Sequence, residues 1–257
     1  MIKLFRKIRQ KSLTESKFSK YLLYAIGEIV LVVIGILIAL SINNNNEARK
    51  VKVEELNYLH GVKSDLQLNL TELKIYNDAR EKSVNSAEII LDCFEEIKIL
   101  SPDEFNFHNL NVQIWYPFNE NNNIFQELIN SGKFAIISND SIKKMLLNMQ
   151  LEYRKINFLE GHLRYDFDNY IYPIYFGTTD LKSDIANYTF QVTNGAEGIR
   201  TELSEAKIKS LLNNQLLKNG FVLSIFSNNL LVIEYNNMIV LTEKLIDTIE
   251  SELEKNK

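Results

Sequence analysis

The side chains that could do chemistry in this 257-residue chain are three histidines, one cysteine and many carboxylates. The best local pair is His162 with Asp166, which would share one face of a helix and could offer two ligands to a metal ion. A hydrogen bond between them on a helix surface is the simpler explanation, because two ligands do not complete a site. Cys93 lies beside an apolar seam and is interpreted as a small hydrophobe.

Motifs of known catalytic sites are missing from the sequence. It has no glycine-rich phosphate loop, nucleophile elbow, zinc-protease helix motif or dinucleotide fingerprint. A single cysteine also excludes a disulfide framework and any multi-cysteine zinc or iron–sulfur site. We therefore predict a protein that is not an enzyme and that needs no cofactor or metal.

Aromatic residues crowd together near the middle of the chain. Such rings could stack on a sugar or a peptide, with nearby acids as hydrogen-bond acceptors, or they could pack a loop onto a helical bundle. The six candidates are Tyr165, Phe167, Tyr170, Tyr172, Tyr175 and Phe176, and the acids are Asp166, Asp168, Asp180 and Asp184.

Glu28 is the only charged residue in the apolar run Tyr21–Ile42. An intramembrane carboxyl is costly and usually functional, and Gly35 with Ala39 forms a small-xxx-small pair that permits close helix approach. These three residues are candidates for a contact with a second membrane helix. The alternative is a lone anchor in which they have no special role.

The run Tyr21–Ile42 has 22 residues, enough for a helix to cross a bilayer core of about 30 Å. Residues 1–42 carry a net charge of +5 and the rest of the chain carries −9. The positive-inside rule then predicts a basic cytoplasmic arm (1–20), a single transmembrane helix (21–42) and an extracytoplasmic domain (43–257). A cleaved signal peptide, ending at Ala39-Leu40-Ser41, is the alternative.

The first 47 residues also carry a resemblance to a known family. They include FRKIRQ, KFSKYLLYAIGEIVLVVIGILIAL and INNNNE, and Phe125–Asn139 reads FQELINSGKFAIISN. Both stretches resemble an uncharacterised membrane-anchored family of Bacteroidetes-type bacteria, domain of unknown function 6090. Asn45 stands where that family has a tryptophan, so one interfacial anchor is absent. The resemblance implies a Gram-negative inner membrane with the body in the periplasm, and it implies no activity.

Helical periodicity dominates the body of the chain. After a polar break at Asn43–Asn46, apolar residues recur at heptad spacing toward Ser101, which predicts a long helix that Gly61 or residues 77–85 could bend. The same spacing predicts a long last helix from about Asn219. Long first and last helices favour antiparallel pairing, so the predicted fold is an all-α bundle.

Capping residues mark several shorter helices. Ser101 is predicted to cap one helix, Ser131-Gly132 to close another, and Ser138 or Asp140 to cap a third that stops before Pro173. The shorter helix that precedes the last one is predicted at residues 203–217. Between Pro173 and about Thr201 the periodicity fades, which predicts a long connection with a hairpin around residues 188–192.

These features predict a protein-interaction or scaffold module. Its expected partners are the lipid bilayer and either a membrane or periplasmic protein or a second copy of the chain. A ligand-sensing bundle that signals through a separate membrane partner is the alternative, and an enzyme is a remote one. The acidic body argues against nucleic acid, because binding phosphates requires a basic surface.

Overall fold

The computed structural model describes residues 18–201 and 204–256, with side chains from residue 21 onward. This part of the chain is helical and contains no strand, which confirms the all-α prediction. The predicted basic arm of residues 1–20 lies outside the described side chains. The α-helices are α1 (Phe18–Phe94), α2 (Pro102–Gln113), α3 (Asn123–Asn130), α4 (Asp140–Asp166), α5 (Tyr172–Thr178), α6 (Leu181–Val192), α7 (Glu205–Leu212) and α8 (Gln215–Glu254).

Two short irregular helices complete the architecture of the described residues. A 3₁₀ turn, Lys133–Ile136, follows α3, and a π-helical turn, Phe167–Ile171, joins α4 to α5. The chain divides into two compact units, with the boundary between Asn57 and Tyr58.

The predicted break at Asn43–Asn46 is wrong, because α1 is one helix from Phe18 to Phe94. Asparagine lowers helix propensity by well under about 1 kcal/mol per residue, and strong helix formers flank the run. Helix α1 also continues without interruption through Gly61. A Cβ at Gly61 would lie 3.1 Å from Ile124 Cγ1, so the glycine permits close packing against α3.

Helix α8 contacts both other long helices inside the second unit, and in each case the contacts run in opposite chain directions. On α1, Lys63 pairs with Glu250 (2.8 Å) and Lys74 pairs with Glu243 (2.7 Å), and farther along Phe94 meets Phe221. On α4, Lys155 pairs with Glu234 at 2.7 Å, and at the end of α4 Asp166 accepts a hydrogen bond from Ser227, nearer the start of α8. Fully buried apolar side chains of the three helices include Leu59, Leu73, Ile90, Ile156, Leu163, Leu231, Met238 and Leu245.

The predicted connection over residues 173–201, with its hairpin, is wrong. Residues 172–178 and 181–192 form α5 and α6. Pro173 lies in the first turn of α5, where its missing N–H costs nothing, and Asp180 caps α6 by accepting the Lys182 N–H. After α6, Gly198 (φ +82°) lets the backbone approach α6 so closely that a Cβ there would lie 2.4 Å from the Ala186 carbonyl oxygen.

The predicted helix ends are partly confirmed. Ser101 forms a capping box with Glu104, and Gly132 has the left-handed φ of 72°. Asn139, rather than Ser138 or Asp140, caps α4 through the N–H groups of the next turn.

The last two helices also begin at other residues than predicted. Helix α7 is shorter than the predicted 203–217, and residue 203 lies outside the described residues. Helix α8 begins at Gln215, four residues before the predicted start, because Asn214 caps it.

Candidate functional site

The intramembrane candidates Glu28, Gly35 and Ala39 lie on the exposed part of α1 in the first unit. A Cβ at Gly35 would meet no described atom within 4 Å. The structure therefore brings no described side chain against these residues, and their role as a helix contact stays a prediction.

The six predicted aromatic residues do not form one surface. Phe167 and Tyr175 are buried, while Tyr165 and Phe176 are exposed. Tyr172 stacks on Phe176 with ring centroids 5.0 Å apart, and Tyr165 meets Tyr170 edge to face at 6.4 Å. Most of the set therefore packs α4, the π-helical turn and α5 together, and Tyr175 also lines a cavity described below.

His162 and Asp166 form no hydrogen bond with each other, although they lie close enough for the charge of His162 to act on the Asp166 carboxylate. The His162 ring lies against Phe158 at 4.7 Å, while Asp166 accepts a hydrogen bond from the Ser227 hydroxyl at 3.3 Å. Among the described residues, no three histidine, cysteine, aspartate or glutamate side chains converge as metal ligands. The pair thus contributes to helix packing, and the structure offers no ligand set built on it.

The best candidate for a binding site is a cavity of about 240 Å³ between α2, α5, α6 and α7. A cavity of about 150 Å³ is enough to hold benzene, so this one has room for a small organic molecule. Its apolar wall consists of Phe105, Tyr175, Ile208 and Leu211, and its polar wall of Asn106, Thr179, Asp180, Ser183, Asp184, Ser204 and Lys207. A second depression beside Tyr153 measures about 20 Å³, which fits only a water molecule.

Asp184 is the central polar group of this cavity. Asp184 is only 6% exposed, and the Tyr175 hydroxyl donates a hydrogen bond to its Oδ2 at 2.7 Å. Burial, followed by the charge of Asp184, raises the pKa of the Tyr175 phenol, so the phenol stays a donor at any physiological pH. Within the described residues, Oδ1 of Asp184 accepts no hydrogen bond.

A network of amide side chains fixes the backbone of Asp184 in place. Asn106 of α2 donates to the Asp184 carbonyl oxygen at 2.9 Å and to Asn187 Oδ1 at 3.1 Å. Asn187 in turn donates to Asp103 Oδ1 at 3.1 Å, and Gln191 donates to the Asp103 carbonyl oxygen at 3.1 Å. Because Asn106 and Asn187 are buried, these bonds hold α6 against α2 and position the Asp184 carboxylate before any ligand arrives.

The rim of the cavity carries exposed charges. Asp180 accepts the Ser183 hydroxyl at 2.9 Å, and this hydrogen bond is the main reason that the pKa of Asp180 is lowered. Lys207 is exposed on α7 and forms no ion pair within 4 Å of a described acid. The lining therefore has two carboxylates and one ammonium group.

A second buried carboxylate, Glu160, lies at the junction of α1, α4 and α8. It accepts the Phe118 N–H at 3.0 Å and the Tyr235 hydroxyl, and its Oε1 lies 3.8 Å from the Arg80 guanidinium. Arg80 also donates to the Tyr116 carbonyl oxygen at 3.0 Å. Burial raises the pKa of Glu160 even though these groups oppose the shift. We call these residues the core cluster.

A comparison with protein families identifies the family of this chain. A model described as a family of unknown function (DUF6090) matches residues 28–171, more than half of the chain. The chain belongs to this family. No curated protein and no solved structure matches it. The segment that matches DUF6090 contains Arg80 and Glu160, whereas Tyr175, Asp184 and Lys207 lie beyond its end.

The sequence pointed to part of this site only. Tyr175 and Asp184 were among the candidates, although for their place near a ring cluster and not for their mutual contact. Asn106 and Lys207 were missed because neither an asparagine within a helix nor an exposed lysine belongs to a motif that indicates a binding site. The N-cap pattern Asp180-x-x-Ser183 was the available signal that α6 begins here.

Proposed function

We propose that this DUF6090 protein is a single-pass protein of the bacterial inner membrane whose periplasmic helical bundle binds a small ligand. Asp184 carries this proposal, because it is a buried carboxylate with a free acceptor atom in the wall of a cavity. The N-terminus would be cytoplasmic, as the positive-inside rule expects. Signalling, if binding is reported across the membrane, would need a separate membrane partner.

In the described part of the chain, two helices are long and apolar enough to cross a membrane, and they differ in surroundings. The apolar window of α1 in the first unit has no buried residue, whereas a third of the window in α8 is buried. Helix α8 places Ser224, Asn228 and Tyr235 in polar contacts inside the second unit. This difference supports α1 as the span and α8 as a core helix of the bundle.

Ligand binding is tested by thermal unfolding of the full chain in detergent with a panel of small cations, anions, zwitterions and neutral solutes. A ligand at 100 times its Kd stabilises the folded state by about 2.7 kcal/mol. We expect at least one probe to raise the Tm of the wild type, and this rise to be absent in Ile208→Trp, which fills the cavity.

The matched control is Ile185→Trp, which adds the same ring at a residue of α6 that is 54% exposed and outside the lining. It should respond to the probe as the wild type does. A panel with no active probe, or a full response in Ile208→Trp, would contradict ligand binding in this cavity.

The topology is tested by thiol labelling. Cys93 is a poor reporter, because it is 6% exposed and burial raises the pKa of its thiol. Ile99 is 95% exposed, so Ile99→Cys in a Cys93→Ala background gives an accessible thiol. A membrane-impermeant maleimide should label it in spheroplasts. Labelling that requires lysis of the inner membrane would contradict a periplasmic body.

A second candidate function, the interaction or scaffold module, rests on the outward face of α8. Val222, Phe226, Ile233 and Val240 recur there at helical spacing and are between 48% and 64% exposed. Exposed apolar residues arranged on one face often mark a protein contact. A scaffold should give a reproducible crosslink from this face in vivo, and replacing Phe226 and Ile233 by polar residues should remove it. Loss of the crosslink on replacing Glu28 or Gly35 would add the membrane helix to the contact.

A further inference from the structure

We infer that the cavity of α2, α5, α6 and α7 takes a small zwitterionic amine, of the size of an aliphatic amino acid, with its ammonium group at Asp184 and its carboxylate toward Lys207. This inference rests on the proposed ligand-binding function and names the chemical class of the ligand.

The ammonium end follows from the free oxygen of Asp184. Oδ2 already accepts the Tyr175 hydroxyl, and Oδ1 has no donor among the described residues. Oδ1 is not one of the fully buried, unpartnered atoms of the described residues, so it faces the open space of the cavity and is accessible to a ligand. An ammonium group supplies both a positive charge and N–H donors, so it satisfies Asp184 better than a neutral hydroxyl would.

The charges of the cavity lining also favour a ligand with an ammonium group. Asp180 and Asp184 contribute two negative charges and Lys207 one positive charge, which disfavours a simple anion. Asp180 is already engaged by the Ser183 hydroxyl and the Lys182 N–H. The carboxylate with a vacant acceptor position is therefore Asp184, at the buried wall.

Lys207 supplies the positive charge of the lining. It lines the cavity from the exposed side, on α7, and forms no ion pair with a described acid. A ligand carboxylate at this edge would meet an ammonium group that remains largely hydrated. We expect Lys207 to contribute less to binding than Asp184, because exposed ion pairs are weaker than buried ones.

The apolar wall of the cavity favours an apolar group in the middle of the ligand. Phe105, Ile208 and Leu211 face the cavity together with the ring of Tyr175. A short aliphatic side chain would bury its surface there, whereas a sugar would leave hydroxyl groups without partners against these residues. The volume of about 240 Å³ limits the ligand to a single small molecule.

The test is isothermal titration of the full chain in detergent micelles with four probes that share one branched alkyl group. L-Leucine carries both charges, 3-methylbutylamine only the ammonium, 4-methylpentanoate only the carboxylate, and 3-methylbutanol neither. We expect L-leucine to bind most tightly and the amine second. The carboxylate and the alcohol should bind at least about tenfold more weakly than L-leucine, as for loss of a charge-assisted hydrogen bond.

Variants of the cavity residues test each end of the ligand separately. Asp184→Asn keeps an acceptor for Tyr175 and should weaken both amines by about tenfold or more. The control Glu205→Gln removes an exposed carboxylate of α7 that lies outside the lining, and it should change the Kd by less than about threefold. Lys207→Met should weaken L-leucine and leave 3-methylbutylamine unchanged.

The outcomes separate this inference from the proposed function. Preference for 4-methylpentanoate or 3-methylbutanol in the wild type would overturn the amine assignment even if Asp184→Asn failed to fold. Wild-type affinity for L-leucine in a folded Asp184→Asn would overturn it as well. Equal binding of 3-methylbutylamine and L-leucine would overturn the carboxylate end. If another probe binds and Ile208→Trp abolishes its binding, the ligand-binding function stands without this ligand class; if no probe binds, both fail.

Discussion

Glu160 and Asp184 are both buried carboxylates, but their surroundings differ. Glu160 accepts two hydrogen bonds, lies near Arg80, and is enclosed by α1, α4 and α8. Among the described residues, the Asp184 carboxylate accepts one hydrogen bond, from Tyr175, and it lines a cavity of about 240 Å³. Burial alone therefore does not mark a functional acid. The number of partners and the access to open space distinguish a structural acid from a candidate ligand contact.

The largest effect is expected from Glu160→Ala. This change leaves Arg80, which is 4% exposed, without its nearest acid, and removal of one partner of a buried ion pair costs about 3–5 kcal/mol. Chemical denaturation of the full chain in micelles measures the loss. Glu243→Ala is the control, because its pair with Lys74 is exposed and contributes less than about 1 kcal/mol. Equal losses in the two variants would contradict a central role of the core cluster.

A smaller loss is expected from Tyr175→Phe. It removes the one described donor to the Asp184 carboxylate, and an unsatisfied buried acceptor costs about 1–3 kcal/mol. The same denaturation assay measures it, with Tyr165→Phe as a control at a ring that is 58% exposed. If Tyr175→Phe were as stable as that control, the Asp184 carboxylate would not depend on the phenol.

The smallest effect is a pH dependence that distinguishes Glu160 from an exposed acid. Burial raises the pKa of Glu160, so folding favours its protonated form, and this proton-linked stabilisation is full below the unfolded pKa and is lost as pH rises through the folded value. The wild type should therefore lose Tm relative to Glu160→Gln between acidic and neutral pH.

Glu104 is expected to give a pH dependence of stability of the opposite sign. The Ser101 backbone N–H, together with the Ser101 hydroxyl, lowers the pKa of Glu104, so its contribution is present at neutral pH and is lost as pH falls. The wild type should gain Tm relative to Glu104→Gln over the same rise in pH. The same sign for both variants would show that burial does not raise the Glu160 pKa.

Local patterns in the sequence predicted much of the fold. The heptad spacing predicted α8 and most of α1, and the capping box at Ser101 and the left-handed Gly132 were predicted from residue type. Helices α5 and α6 were missed because they are 7 and 12 residues long and isolated helices of that length are marginal. The buried face of α6 carries Asp184 and Asn187, which resemble loop residues until their partners on α2 are known.

The candidate sites were harder to predict than the fold. Arg80, Glu160 and Tyr235 meet across 155 residues of sequence, and no spacing rule relates them. The cavity forms where α2 meets three short helices, so its lining depends on tertiary packing. The ring cluster led to Tyr175 and, through its neighbouring acids, to Asp184, but the other five rings pack helices together.

Hydrogen exchange tests most directly whether the cavity, and not the core cluster, binds a ligand. Mass spectrometry of the full chain in micelles, with and without saturating L-leucine, measures amide protection along the chain. We predict slower exchange in residues 103–113, 172–192 and 205–212, and no change in residues 156–160 and 231–238. At an L-leucine concentration that saturates binding in the titration, unchanged exchange in α5 and α6, or equal protection of the core cluster, would contradict the assignment of this cavity as the binding site.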